Sequence, residues 1–133
     1  MNNEYMFGKS ILVAPIVNAQ YTSETVVKTD ENSGWNKDDK KDEKEPAVDF
    51  TQQKSSKAYL PVGTSWFDFW SNQKYDGGQE VTLATTIDKI PLFIKAGSIV
   101  PFGPNVQFAT EKKWDNLEIR VYPGANAEFT LYE

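Results

Sequence analysis

Neither cysteine nor histidine occurs in the 133 residues, and those two absences remove most familiar catalytic chemistry. Without Cys there is no disulfide framework and no thiolate nucleophile. Without His, the common zinc sites and the Ser-His and Cys-His pairs cannot be assembled. Positive charge is also scarce: 14 Lys and Arg against 19 Asp and Glu leave a net charge of -5 and a pI near 4.8. The basic residues are scattered rather than gathered, so no nucleic-acid partner is expected. No apolar run approaches the roughly 20 residues that span a bilayer, and no charged n-region with a following h-region opens the chain, so no membrane partner is expected. No segment joins helical period, length and caps, and no cofactor is implied.

What remains is a series of short apolar runs broken by Gly and Pro, the pattern of an all-β chain. Ile11 to Val17 (ILVAPIV) has the size of a buried strand with Pro15 at an edge or bend, and Tyr5, Met6, Phe7 and Gly8 lead into it. Asp76-Gly77-Gly78 predicts a turn with freedom for positive φ. Asp88 to Pro104 (DKIPLFIKAGSIVPFGP) reads as strand, tight turn at Ala96-Gly97-Ser98, then strand, with Pro91 and Pro101 at strand starts or edges. In Leu117 to Glu133 (LEIRVYPGANAEFTLYE), two alternating runs flank a Pro123-Gly124-Ala125-Asn126 turn. Leu117, Ile119 and Val121 are expected on the buried face, and Phe129 and Leu131 repeat the pattern. The chain stops while still in strand register, the end expected of a piece of something longer. A two-stranded hairpin is marginal alone, so that apolar face needs the rest of the chain or a partner to cover it.

Residues 29–57 differ in composition, centred on Lys37 to Glu45 (KDDKKDEKE), which holds four positive and five negative charges. So long and solvated a connection predicts a mobile surface insertion between strands, with Trp35 and the Val48-Asp49-Phe50 alternation pinning its ends. A calcium loop is disfavoured, because the acids lack ordered ligand spacing and sit beside lysines. A protein contact through this insertion is a further reading.

The richest aromatic stretch is Tyr59 to Gln79 (YLPVGTSWFDFWSNQKYDGGQ). As a strand, Trp66 to Trp70 would send Trp66, Asp68 and Trp70 one way and Phe67 and Phe69 the other, so both faces are bulky. Shelter on both sides follows: a core on one, and a second domain or a sugar on the other. Paired carboxylates are the catalytic constellation left open by the missing residues, with Asp68, Asp76 and Asp88 as the acids in ordered blocks. Local turn and backbone bonding accounts for each of them more simply. Trp66, Trp70 and Trp114 could form a sugar-stacking platform, although large aromatics more often supply core and interface area.

Phe7-Gly8 with Ser10 to Val17, Tyr59-Leu-Pro-Val-Gly63 with Trp66 to Trp70 and Gly77 to Gln79, Asp88 to Pro104, and Val121 to Gly124 with Phe129 to Glu133 follow one another in order. This series resembles the stretch after the catalytic barrel in glycoside hydrolase family 31, the family of α-glucosidases and α-xylosidases. The resemblance implies an antiparallel β-sandwich of the proximal C-terminal type occupying residues 1–133, with residues 1–10 as the lead-in from the barrel. It also implies a retaining double displacement by two aspartates that lie upstream of this chain. No catalytic, substrate-binding or metal residue is therefore carried over. The implied role is a non-catalytic sandwich that covers and braces the β/α barrel of its parent, with Trp66, Asp68 and Trp70 as candidate interface residues. A carbohydrate-binding module is the alternative, with carbohydrate as a possible partner. The long insertion and Lys9, where the family often has Asp, depart from the pattern. The parent's sugar is expected to be read by the absent pocket, with a lean toward α-xylosides.

Overall fold

A computed structural model describes residues 3–21 and 48–132. Among them there is no helix. Nine strands occur in chain order: β1 Tyr5–Phe7, β2 Ile11–Val13, β3 Lys54–Leu60, β4 Ser65–Asp68, β5 Lys74–Asp76, β6 Gln79–Thr85, β7 Leu92–Lys95, β8 Ser98–Phe102 and β9 Glu118–Tyr122. All pairings are antiparallel, in a five-stranded sheet ordered β1-β2-β7-β4-β5 and two ribbons, β3-β6 and β8-β9. The expected all-β sandwich is the observed architecture. The central region of the expected charged insertion lies outside the described residues, as does Trp35. Its C-terminal end is strand: β3 begins at Lys54. Val48 and Asp49 are not in a strand.

Alternation decides how the layers stack. In β3, Ala58 and Leu60 are buried while Lys57 and Tyr59 are exposed, and Ala58 faces Val81 across the ribbon. These residues pack with Leu12, Trp66 and Phe93 of the five-stranded sheet, and with Ala14 just past β2, into one apolar cluster, which Tyr75 and Leu83 close. Trp66 is 3 % exposed. The other face of that sheet presents Phe67 and the fully buried Ile94, which are Cα partners. It is covered by the β8-β9 ribbon, with Phe67 against Tyr122 at 5.6 Å and Phe69 against Phe102 at 5.8 Å between centroids. Shelter on both faces is thus confirmed, but its source differs from expectation. The chain's own ribbon supplies the second cover where a second domain or a sugar was expected.

Several boundaries also move. Tyr5–Phe7, expected as a lead-in, is the edge strand of the sheet and pairs with β2. The strand expected over Ile11 to Val17 ends at Val13. The Ala14 amide still donates to the Pro91 carbonyl at 3.1 Å, but Pro15 has no N–H with which to continue. The strand expected to reach Trp70 stops at Asp68, where the backbone turns. Residues 125–132 form no strand, so the expected second arm carrying Phe129 and Leu131 is absent and both side chains stay exposed.

The burial of β9 is the reverse of the sequence expectation. Tyr122 is buried and Arg120 half-buried, whereas Ile119 is 62 % and Val121 65 % exposed. Arg120 takes the inner face because its guanidinium lies over the rings of Phe102 and Phe69, at 4.5 and 5.4 Å from their centroids. A planar cation between aromatic rings keeps its charge while its surroundings gain packing. The neighbouring Glu118 carboxylate holds the Arg120 pKa above its ordinary value.

One corner joins the layers. The chain passes from ribbon to sheet between β3 and β4, and back between β5 and β6. There the Gly77 amide donates to the Thr64 carbonyl at 3.0 Å, and the Gly78 amide to the Leu60 carbonyl at 2.7 Å. The Trp66 indole N–H ties the same corner from the core by donating to the Pro61 carbonyl at 3.0 Å. A Cβ on Gly77 would stand 2.3 Å from both the Pro61 and Thr64 carbonyl oxygens. Those oxygens belong to the backbone and cannot swing aside. Gly77→Ala is therefore expected to destabilise the chain by about 1–3 kcal/mol, seen as a lower urea midpoint at unchanged slope. An unchanged midpoint would show that the corner can relax.

Candidate functional site

The loop Phe69 to Gln73 between β4 and β5 is built by Asp68. One carboxylate oxygen, Oδ1, accepts the backbone amides of Trp70 at 2.7 Å and Ser71 at 2.9 Å. The Asp68 carbonyl accepts the Asn72 amide, and the Asp68 amide donates to the Gln73 carbonyl, both at 2.9 Å. Asn72 completes the reversal at φ 59°, a left-handed conformation that Asn tolerates better than most residues. The loop is thus held from its base by one carboxylate.

Its tip carries Trp70, 47 % exposed. The indole N–H donates to the Ile90 carbonyl at 2.8 Å, the ring meets Phe69 edge-on at 4.9 Å, and the Lys89 ammonium lies 5.7 Å from its centroid. Three contacts fix the ring in one orientation. Below it runs a groove of about 430 Å³ lined by Asp68, Trp70, Ser71, Gln73, Tyr75 and Lys89, with residues 82–86 along the opposite wall. Both inward and outward residues of β6 line that wall, so the groove follows the strand's edge and its backbone groups.

The three residues expected at a domain interface separate. Trp66 is consumed by the chain's own core, Asp68 is buried beneath the loop that it caps, and Trp70 alone offers surface. The three tryptophans considered as a platform separate as well. Trp114 packs on Gly103, donates to the Ala109 carbonyl at 3.1 Å and does not line the groove. The acids do not pair. Asp76 lies opposite Ser65 in the β4-β5 register, on the face away from Asp68, and its Oδ1 accepts the Ser65 hydroxyl at 3.5 Å. A hydrogen bond from the Thr86 hydroxyl, chiefly, lowers the pKa of Asp88. Sequence reasoning missed Gln73, Tyr75 and Lys89. The signal available was the polar Ser71-Asn72-Gln73 run directly after an aromatic block.

Comparison with known proteins shows what this chain is similar to. Residues 44–100 match the model of the glycosyl hydrolase family 31 C-terminal domain. Over 76 residues the chain is 45 % identical to an α-xylosidase from Saccharolobus solfataricus, covering 56 % of this chain and 10 % of that protein. The whole chain superposes on a family 31 α-xylosidase from Xanthomonas citri with a TM-score of 0.69 and 32 % identity, covering 11 % of that structure. A family 31 dextranase from Flavobacterium johnsoniae matches over 93 % of this chain and 11 % of its own, with a TM-score of 0.61 and 29 % identity. The chain thus spans about a tenth of the length of these relatives.

Tyr75 at the groove's inner wall carries a pH signature. Burial, and secondarily the negative charge of Asp68, raise its pKa above the ordinary 10.0. The unfolded chain therefore loses this proton first as pH rises, and the stability held below pH 10 is lost as pH passes the folded-state value. Tyr75→Phe should flatten the alkaline fall in melting temperature relative to the unmodified chain. Identical alkaline profiles would show that Tyr75 has no such linkage.

Proposed function

Because the chain belongs to the C-terminal domain of the family 31 glycosyl hydrolases, we propose that it is a non-catalytic sandwich that packs on and braces the catalytic β/α barrel of a longer parent. The observation that carries this reading is the outer face of the β8-β9 ribbon. Ile99 pairs with Val121 and Pro101 with Ile119, so four apolar side chains stand together on one surface. Both β9 members are more than half exposed in a chain one tenth as long as its relatives. A strand that turns isoleucine and valine to water is the kind of surface that a neighbouring domain covers. Tyr5 and Phe7 of β1, on the sheet face that the ribbon covers farther in, are exposed in the same way.

Trp66 and Asp68, first considered as contacts, serve bracing indirectly by holding the core and the β4-β5 loop. With Asp68, Asp76 and Asp88 each engaged locally, the sandwich leaves hydrolysis of terminal α-linked sugars, by the retaining double displacement, to the parent's barrel. The α-xylosidases among the relatives favour an α-xyloside as the parent's sugar. Residues 3–21 and 48–132 act as one sandwich domain in this scheme.

The test compares two contexts. In the 133-residue chain, replacing Ile119 and Val121 by Lys should change stability by no more than about 0.5 kcal/mol, because both positions already face water. In the parent enzyme the same pair should cost about 1.5–3 kcal/mol per side chain, lowering the melting temperature while KM for an aryl α-xyloside holds. Unchanged melting with a raised KM would overturn bracing and place this face at the substrate.

A further inference from the structure

The Trp70 groove lies on the opposite side of the five-stranded sheet from the ribbon, and bracing makes no use of it. Tyr122 of the ribbon covers Phe67, whereas the groove opens on the face of Asp68 and Tyr75, beside β6. Its chemistry is specific in three respects. Trp70 is preorganised, so a ligand stacking on its open surface would not have to freeze it. The groove holds one carboxylate, Asp68, and one ammonium, Lys89, which suits a ligand without net charge. Ser71, Gln73 and the edge of β6 offer both donors and acceptors beside the aromatic ring. A molecule with one apolar ring face and a rim of hydroxyls matches all three. The volume, about 430 Å³, is in the range of small-ligand sites.

We infer that the groove beneath Trp70 is an accessory carbohydrate-binding site, in which a neutral sugar ring stacks on the Trp70 indole and its hydroxyls pair with Gln73, Ser71 and Lys89. Asp68 is a positioning residue here, since its Oδ1 fixes the backbone that carries the ring. Lys89, now over the indole, supplies three N–H donors to the rim. An extended peptide adding to the edge of β6 is the competing occupant, and the aromatic platform with balanced charge favours the sugar. The choice of an α-linked probe rests on the family assignment, but the groove itself does not.

The experiment is an amide nitrogen-proton NMR titration of the 133-residue chain with isomaltotriose. The expected result is saturable movement of the Trp70 indole signal and of the amides of Ser71, Gln73 and Lys89, with a Kd of about 1 mM. The Trp66 indole, sealed in the core, stays in place. Trp70→Ala should weaken binding at least tenfold while the remaining signals stay dispersed, and Gln73→Ala should weaken it several-fold. If Trp70→Ala loses dispersion, Gln73→Ala and Lys89→Ala, both altering exposed side chains, carry the test instead. Absence of saturable movement up to about 20 mM would overturn the inference. So would movement that survives the loss of Trp70, or movement of residues 82–86 with an extended hexapeptide but not with the sugar. None of these outcomes bears on bracing, which is read from the ribbon on the other side.

Discussion

The sandwich depends on a close backbone approach at one corner. Where the chain leaves β3 for β4 and returns from β5 to β6, the Gly77 and Gly78 amides bond to carbonyls of the first crossing, with no room for a Cβ at Gly77. The Trp66 indole closes the arrangement from within. Two crossings held against each other fix how the β3-β6 ribbon lies on the sheet. They thereby fix which residues of β4 enter the core. Amides and carbonyls left unpaired at that corner would carry a desolvation penalty to the extent that they are shielded from water, so the bonds set geometry as well as stability.

From that arrangement the two surfaces of interest follow. Alternation along β4 sends Trp66 and Asp68 toward β3-β6 and Phe67 toward β8-β9. The ribbon that covers Phe67 must then expose its own second face, and on that face stand Ile119 and Val121. Asp68, one position beyond Phe67, turns the chain and presents Trp70 at the rim of a groove on the other side. The proposed bracing face and the inferred sugar groove thus lie on opposite sides of one sheet and do not compete for area.

The Arg120 guanidinium explains why β9 faces the way it does. A simple reading of hydrophobic alternation buries Ile119 and Val121 and exposes Arg120. Placing Arg120 between Phe69 and Phe102 instead lets Tyr122 reach Phe67, and four aromatic rings gain contact. The apolar face then remains exposed, and it is the face on which the proposed bracing contact rests.

Local pattern alone was enough for the all-β class, the turns at Gly77-Gly78 and Gly97, and the double shelter of the Trp66 block. Each of these follows from near-neighbour sterics or from period-two alternation, and both are written in consecutive residues. The ordered motifs were likewise sufficient for the family. Tertiary structure decided which face of β9 is inward, that the chain's own ribbon covers Phe67, that Trp66 is core, and that Gln73, Tyr75 and Lys89 meet beneath Trp70. Those outcomes turn on contacts between residues far apart in the chain, such as Arg120 with Phe69 and Trp70 with Ile90. Alternation gives a strand two faces but carries no information about which neighbour will arrive at each.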